Sequence, residues 1–178
     1  NVTRLFAATD AWYHFDDKDV WTLFHSYAFD FTVWELWGSL LYGGRLVVVP
    51  YWVSRDPVAF YELLLKERVT VLNQTPSAFR QLVREMEPGG AAVAKELSLR
   101  YVIFGGEALD LNQVRPFWDL RGDQSPQLVN MYGITETTVH VTWRRLGEAE
   151  ILKGGSSVIG VPLGDLQVRV LDGLGEPV

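Results

Sequence analysis

Cysteine is absent from the 178 residues, which removes disulfides and thiolate metal sites and agrees with a reducing, cytoplasmic setting. Long apolar runs are missing too: nothing approaches the ~20 apolar residues of a membrane-spanning helix, so no membrane partner is expected. Lys and Arg number 16 against 22 Asp and Glu, and no basic cluster occurs. A nucleic-acid surface needs concentrated positive charge, so that partner class is excluded as well. Neither G-x-G-x-x-G nor a Walker A lysine loop is present, which removes two familiar phosphate cradles. There is no internal repeat, no low-complexity tract and no signal-peptide layout. The start at Asn1 without Met, and the stop at Glu176-Pro177-Val178 just after a strand-like run, read as the ends of an excised piece.

What is present is an ordinary globular composition, 48% hydrophobic and 21% charged, in the size range of one domain. Val2, Leu5, Phe6 and Trp12 fall at helical spacing, and the acidic turn at residues 16–19 closes that segment. Val20 to His25 is a buried-strand candidate. Thr32-Val33-Trp34-Glu35 carries the spacing of a capping box, in which the Thr32 hydroxyl and Glu35 carboxylate exchange bonds with each other's amides. That assignment frees Asp30 from a capping role, and the helix runs to about Tyr42 before Gly43-Gly44.

Arg45 to Pro50 reads as a strand covered on both faces. Ser54 and Pro57 open a helix to about Arg68. Val69 to Gln74 is a strand, Pro76 to Met86 a helix ended by Pro88-Gly89-Gly90, and Leu99 to Phe104 a strand. Leu111 to Leu120 is helical, and Gln127 to Met131 is a strand. This alternation predicts an α/β fold: a flavodoxin-like doubly wound parallel sheet with right-handed crossovers. Val139 to Leu146 and Leu166 to Leu171 look like strands without an intervening helix, the start of a β-rich subdomain. The division expected is 1–17 as the end of a preceding subdomain, 18–146 as the α/β unit, and 147–178 as linker and β-rich start.

Four strand ends converge at one sheet edge, where open α/β folds bind ligands. They are Asp30 with its neighbours, Asn73-Gln74-Thr75, Gly105-Gly106-Glu107, and the loop from Tyr132 to Thr138. Glycines at 105 and 106 let a planar or phosphorylated ligand approach the backbone, and they also suit a plain turn. Glu136 beside Thr135 is able to hold a hard cation and a phosphate oxygen, or to be a solvated loop carboxylate. His25 and His140 are too far apart in sequence to argue for a metal site, and Trp34 with Trp37 at helical spacing suits a core.

Six stretches together carry a specific resemblance. They are FHSYAFDFTVWE (Phe24 to Glu35), GGRLVVVP (Gly43 to Pro50), LNQTPSAF (Leu72 to Phe79), FGGEAL (Phe104 to Leu109), NMYGITETT (Asn130 to Thr138) and IGVPL (Ile159 to Leu163). The chain resembles, over essentially its whole length, the adenylation domains of nonribosomal peptide synthetases. Those belong to an adenylate-forming superfamily that also holds acyl- and aryl-CoA ligases and luciferases.

The resemblance implies a reaction in which an amino-acid carboxylate attacks the α-phosphate of ATP. Aminoacyl-AMP and pyrophosphate result, and the aminoacyl group passes to a carrier-protein phosphopantetheine thiol, next to a condensation domain. It implies that Asp30 pairs with the substrate ammonium and that Gly105, Gly106, Glu107 and Ala108 flank the adenine. Tyr132 stacks on that ring, Asn130 bonds its amino edge, and Gly133 turns the loop. Thr135 contacts the phosphate, Glu136 the Mg²⁺, and His25 sits near the carboxylate and thiol entry.

The pocket implied by the family is lined by Asp30, Phe31, Trp34, Asn73, Ile103, Gly105, Met131, Val139 and His140, a set that looks like a threonine pocket. Phe31, Trp34 and Met131 fill space so that a short side chain fits, while Asn73 and His140 serve a hydroxyl. Such a site rejects valine more sharply than it rejects serine. The family's upstream phosphate loop, its ribose-binding aspartate and its catalytic lysine have no counterpart here, so weak binding and negligible turnover are expected of the chain alone. Two rival readings stay open: an acyl- or aryl-CoA ligase, in which an ammonium partner is unnecessary, and a non-catalytic flavodoxin-like module holding a flavin or a partner.

Overall fold

The computed structural model describes residues 1–86, 94–121, 125–155 and 157–178, so the stop signal at residues 88–90 lies outside the described residues. Its elements, in chain order, are α1 (Val2–Tyr13), β1 (Val20–Leu23), α2 (Phe31–Leu41), β2 (Arg45–Val48), α3 (Pro57–Glu67), β3 (Val71–Gln74) and α4 (Pro76–Met86). There follow β4 (Tyr101–Phe104), α5 (Leu111–Arg121), β5 (Gln127–Tyr132), β6 (Thr142–Arg145), α6 (Glu148–Lys153) and β7 (Val161–Pro162).

The strands form one sheet of order β2-β1-β3-β4-β5-β6-β7. The first five are parallel, in the 2-1-3-4-5 order of flavodoxin-like folds, and β6 and β7 extend the sheet antiparallel. Side chains alternate faces along each strand, and here both faces are apolar. Val102 and Phe104 of β4 point into a core made with α3, α4, α5 and α6. Tyr101 and Ile103 point into a second core made with α1 and α2.

Local signals explain several boundaries. The Asp56 side chain accepts the amides of Val58 (3.0 Å) and Ala59 (3.2 Å) with Pro57 opening α3, and Arg68 closes it in the left-handed conformation. On α2 the buried residues are Phe31, Trp34, Glu35, Gly38 and Ser39, the spacing of one helical face. Gly38 lies so close to the Trp21 indole that a Cβ would stand 2.4 Å from it.

Four expectations change. No capping box forms at Thr32: its hydroxyl donates to the carbonyls of His25 (3.1 Å) and Ser26 (2.7 Å), and Glu35 bonds the His25 segment instead. The loop leaving β1 runs back across the start of α2 and takes both side chains. The second strand is not covered on both faces, because it is the sheet edge and Val48 is exposed. Leu166 to Leu171 makes no ladder; apart from one bridge between Leu171 and Pro177 it finds no strand partner among the described residues, and most of it is exposed. The stretch after Leu146 contains a helix, α6, whose Ile151 is fully buried against the core.

Candidate functional site

The convergence of four loops at one edge follows from the parallel order, since β1, β3, β4 and β5 all end on the same side. Two of the cavities at that edge adjoin one another. The larger, about 310 Å³, is lined by Gly106, Glu107, Ala108, Asn130, Tyr132 and Ile134 among others, with Ser157 and Ile159 closing its far wall. Tyr132 is half exposed and lines this cavity. Asn130 is buried at the end of β5 and donates to Ser157 Oγ (3.2 Å) and Val158 O (3.0 Å). Glu107 is already engaged: its carboxylate accepts from Ser77 N (3.1 Å) and Ser77 Oγ (2.8 Å) in the first turn of α4.

The smaller cavity holds only about 20 Å³, room for about one water. Phe29, Asp30, Phe31, Gly106, Met131, Gly133, Val139 and His140 surround it. Three of these, Gly106, Met131 and Gly133, also line the larger cavity, so the two spaces share a wall. Glycine is required at that wall. A Cβ on Gly106 would meet the Phe29 ring at 2.5 Å at a positive φ of 78°, and one on Gly133 would meet Val139 O at 2.2 Å. The loop after Gly133 returns through Thr138 and Val139, both left-handed (φ 68° and 64°), a costly conformation for β-branched residues. That return is what places Val139 and His140 against the small cavity.

Of the residues expected to form the pocket, Asp30, Phe31, Met131, Val139 and His140 line the small cavity, whereas Trp34, Asn73, Ile103 and Gly105 do not; polar groups near it are incompletely paired. Asn73 is fully buried; its Oδ1 accepts from Trp34 Nε1 (3.0 Å), and its Nδ2 has no partner. His140 is buried against the edges of Phe31 and Trp34, and neither ring nitrogen is hydrogen-bonded. Burial pushes its pKa down to about 3, so the imidazole is neutral. Met131 accepts from Tyr13 OH through sulfur (3.0 Å). Ile103 is buried one strand away on the same face, and Gly105 would meet Phe31 and His140 if it carried a Cβ. Asp30 Oδ2 accepts from Thr135 Oγ1 at 2.8 Å, tying the loop after β1 to the loop after β5.

His25 donates from Nδ1 toward Glu35 Oε1 (3.0 Å), and its ring stacks on Phe31 at 4.8 Å. Glu136 is exposed and lines a separate cleft with Arg4, Thr137 and Thr138, away from the larger cavity. Among the described residues no three acidic or imidazole groups converge as a metal cage. A single exposed carboxylate fits Mg²⁺ only in the mode where phosphate oxygens and water complete the shell.

Sequence reasoning missed three participants. Phe29 fills the space over Gly106, Ser157 closes the larger cavity, and Glu35 holds His25. The first and third lie inside the quoted stretch from Phe24 to Glu35. Nothing local marks Ser157, which arrives only through the tertiary turn after α6.

Comparison with known proteins bears on this geometry. A family model described as "AMP-binding enzyme" matches residues 1–178. A dimodular nonribosomal peptide synthase of Bacillus subtilis is 56% identical over 178 residues, all of this chain and 7% of that protein. The chain therefore spans a small part of such relatives. The structure of the Vibrio cholerae adenylation domain AlmE in complex with glycyl-adenosine-5'-phosphate superposes with a TM-score of 0.82 at 22% identity, covering 98% of this chain and 31% of that one. Holo-PA1221, a nonribosomal peptide synthetase protein with adenylation and carrier (PCP) domains, superposes at 0.76 with 26% identity, covering 92% of this chain and 27% of that one.

Proposed function

The chain belongs to the AMP-binding enzyme family, and from that premise we propose that it is the central part of an adenylating domain of nonribosomal peptide synthesis that activates L-threonine. The observation that carries this reading is the shared wall. A small cavity with a carboxylate, Asp30, and unpaired buried donors and acceptors abuts a larger one with a half-exposed aromatic ring, Tyr132, across Gly106, Met131 and Gly133.

In this reading the threonine ammonium pairs with Asp30. As it stands the space beside His140 holds about one water, so Phe29, Phe31 and Met131 give way as threonine enters; its hydroxyl then meets a neutral, otherwise unpaired His140 nitrogen, with Asn73 Nδ2 in the layer behind. Phe31, Trp34 and Met131 bound the space left for the methyl group. Adenine enters the larger cavity between the Gly105–Ala108 backbone and Tyr132, with Asn130 at its edge. The substrate carboxylate then faces the α-phosphate of ATP across the shared wall, and pyrophosphate leaves.

Thr135 turns from Asp30 toward phosphate, and Glu136 is the residue that would hold Mg²⁺. That ion supplies charge neutralisation of the triphosphate. The aminoacyl group passes to the phosphopantetheine thiol of a carrier domain, in the cytoplasm and beside a condensation domain of the same synthetase.

The test is ATP–pyrophosphate exchange by the complete domain that carries this chain, run with threonine, valine, serine and benzoate. Threonine is expected to lead, serine to follow within ~10- to 200-fold, and valine to fall further behind. Exchange with benzoate and with no amino acid would replace this reading by an aryl-CoA ligase.

A further inference from the structure

Helix α1 ends by laying two consecutive aromatic side chains on one cross-strand pair. Met131 of β5 and Trp143 of β6 are register partners, so their side chains share a face of the sheet. Trp12 stacks on Trp143 with ring centroids 4.6 Å apart, and the Tyr13 hydroxyl donates to Met131 Sδ at 3.0 Å. Met131 lines both the small and the larger cavity, whereas Tyr13 lines neither and is fully buried behind it.

Tyr13 is held from several sides. Its carbonyl accepts from Tyr101 OH (2.6 Å), and its ring stacks on Phe15 (4.8 Å) and meets Trp34 edge-on (5.8 Å). His14, left-handed at φ 48°, ends the helix directly after it. Burial pushes the phenol pKa well up, so the hydroxyl keeps its proton and stays a donor. Among so many buried rings a phenylalanine would pack as well, and a buried hydroxyl is costly without a partner. The feature to be explained is the hydroxyl and the sulfur it bonds.

Methionine is the most adaptable wall a pocket can have, unbranched and with three rotatable bonds. Holding its sulfur fixes the inner torsions and leaves only the terminal methyl to swing. A wall that yields by one methyl group admits a short side chain and stops a longer one.

We propose that Tyr13 is a specificity-determining residue, setting the depth of the amino-acid cavity by holding the Met131 sulfur from behind. The inference rests on the reading of the small cavity as the amino-acid pocket. Tyr13 is a positioning residue and acts through Met131. With the sulfur held, an entering threonine displaces the Met131 methyl while the rest of that side chain stays. With the sulfur free, the whole thioether leans into the larger cavity, and leucine gains room.

Tyr13→Phe in the complete domain keeps the ring and removes only the hydroxyl. In ATP–pyrophosphate exchange the threonine-over-leucine ratio of kcat/KM should narrow ~3- to 10-fold, about what one hydrogen bond contributes. For threonine the change should lie in KM with kcat nearly unaltered, because the wall binds ground state and transition state alike. Met131→Leu removes the acceptor, and in that background Tyr13→Phe should leave the ratio where Met131→Leu sets it. A further readout needs no substrate: in a ¹³C-methyl-methionine spectrum, the signal that Met131→Leu deletes should shift and narrow in Tyr13→Phe as the thioether gains freedom.

An equal loss with threonine and leucine, a fall in kcat alone, or the same narrowing in the Met131→Leu background overturns the role. If Tyr13→Phe does not fold, Met131→Leu with and without Tyr13→Phe carries the test, since two apolar partners then replace the bonded pair at similar volume. Any difference in ratio between those two overturns it. Absence of amino-acid-dependent exchange in the unaltered domain overturns the adenylating reading and the pocket role with it, whereas a Met131 signal indifferent to Tyr13→Phe overturns the role of Tyr13 alone.

Discussion

At the N-terminal ends of β1, β3 and β4 a buried carboxylate has every oxygen taken, whereas near the C-terminal ends of β1, β3 and β5 several buried nitrogens have no partner among the described residues. Asp19 is fully buried before β1. It accepts from Arg100 Nη1 (2.6 and 2.7 Å), from Thr70 Oγ1 (2.7 Å) and from the Asp16 amide (3.1 Å). Thr70 Oγ1 accepts in turn from the Val20 amide (2.9 Å), so three strand starts are pinned to one group. Across the sheet, Asn73 Nδ2, Gln74 Nε2, His25 Nε2 and both His140 nitrogens have no partner. Trp21 Nε1, Thr22 Oγ1 and Trp143 Nε1 are unpaired as well, so lack of a partner is not confined to that edge; what sets Asp19 apart is that both its oxygens are held, as a clamp requires.

Titrating the unpaired end puts this contrast under the greatest strain. His140 binds its proton near the ordinary 6.5 when unfolded and at about 3 when folded. Between those values the unfolded chain holds more protons, so stability is lost as pH falls from 6.5 toward 3. About 3 kcal/mol should be gone by pH ~4.5, and ~5 kcal/mol is the most this group can remove. Urea unfolding midpoints at pH ~7.5 and ~4.5 should therefore separate widely in the native chain. His140→Leu should shrink that separation by a similar amount.

Asp30→Ala is expected to act on a similar scale. If Asp30 is the ammonium's partner, as proposed, removing it should cost threonine-dependent exchange in the complete domain about 10²- to 10³-fold, or ~3–4 kcal/mol. Folding of the chain itself should change little, because the side-chain partner of Asp30 among the described residues is an exposed threonine. Nearly intact exchange would remove Asp30 from the pocket.

At the clamp the effect should be on stability instead. Asp19→Ala leaves Arg100 partly exposed and frees Thr70, so we expect a loss of ~2 kcal/mol and a fall in Tm of ~4–8 °C, with no bearing on substrate preference. The smallest effect belongs to Glu107→Ala. It removes an exposed carboxylate from the first turn of α4, and a loss of ~0.5 kcal/mol in thermal unfolding is expected.

Much of this molecule is legible locally. Pro76 to Met86 reads as a helix with the bounds the structure shows, because its apolar positions, Pro start and following breakers all agree. The strands at 71–74, 101–104 and 127–132 are visible as short apolar runs. Glu35 shows where that reading stops. Thr32 and Glu35 have the spacing of a capping box, and a local rule has no means of knowing that the loop from β1 returns across the helix start. The same limit operates at the sheet edge: the run Leu46 to Val49 is as apolar as a central strand, yet whether a strand has two neighbours is settled by topology. Leu166 to Leu171 alternates like a strand, and alternation without a partner makes no ladder.

Asn130 to Thr138, with the glycines at 105 and 106, announces a ligand edge from residue types alone, because amide, phenol, hydroxyls and carboxylate in nine residues suit few structural tasks. Residue order is thus enough for the alternation of elements, the parallel arrangement that follows from it, and the loops that meet at the C-terminal edge. Folding in three dimensions adds that Gly106, Met131 and Gly133 form one wall between two cavities. It also sets Phe29 over Gly106, Glu35 behind His25, and His140 in a site too dry to charge. Secondary structure comes from periodicities within a few residues, whereas cavities, desolvation and unpaired atoms depend on which distant side chains exclude water together.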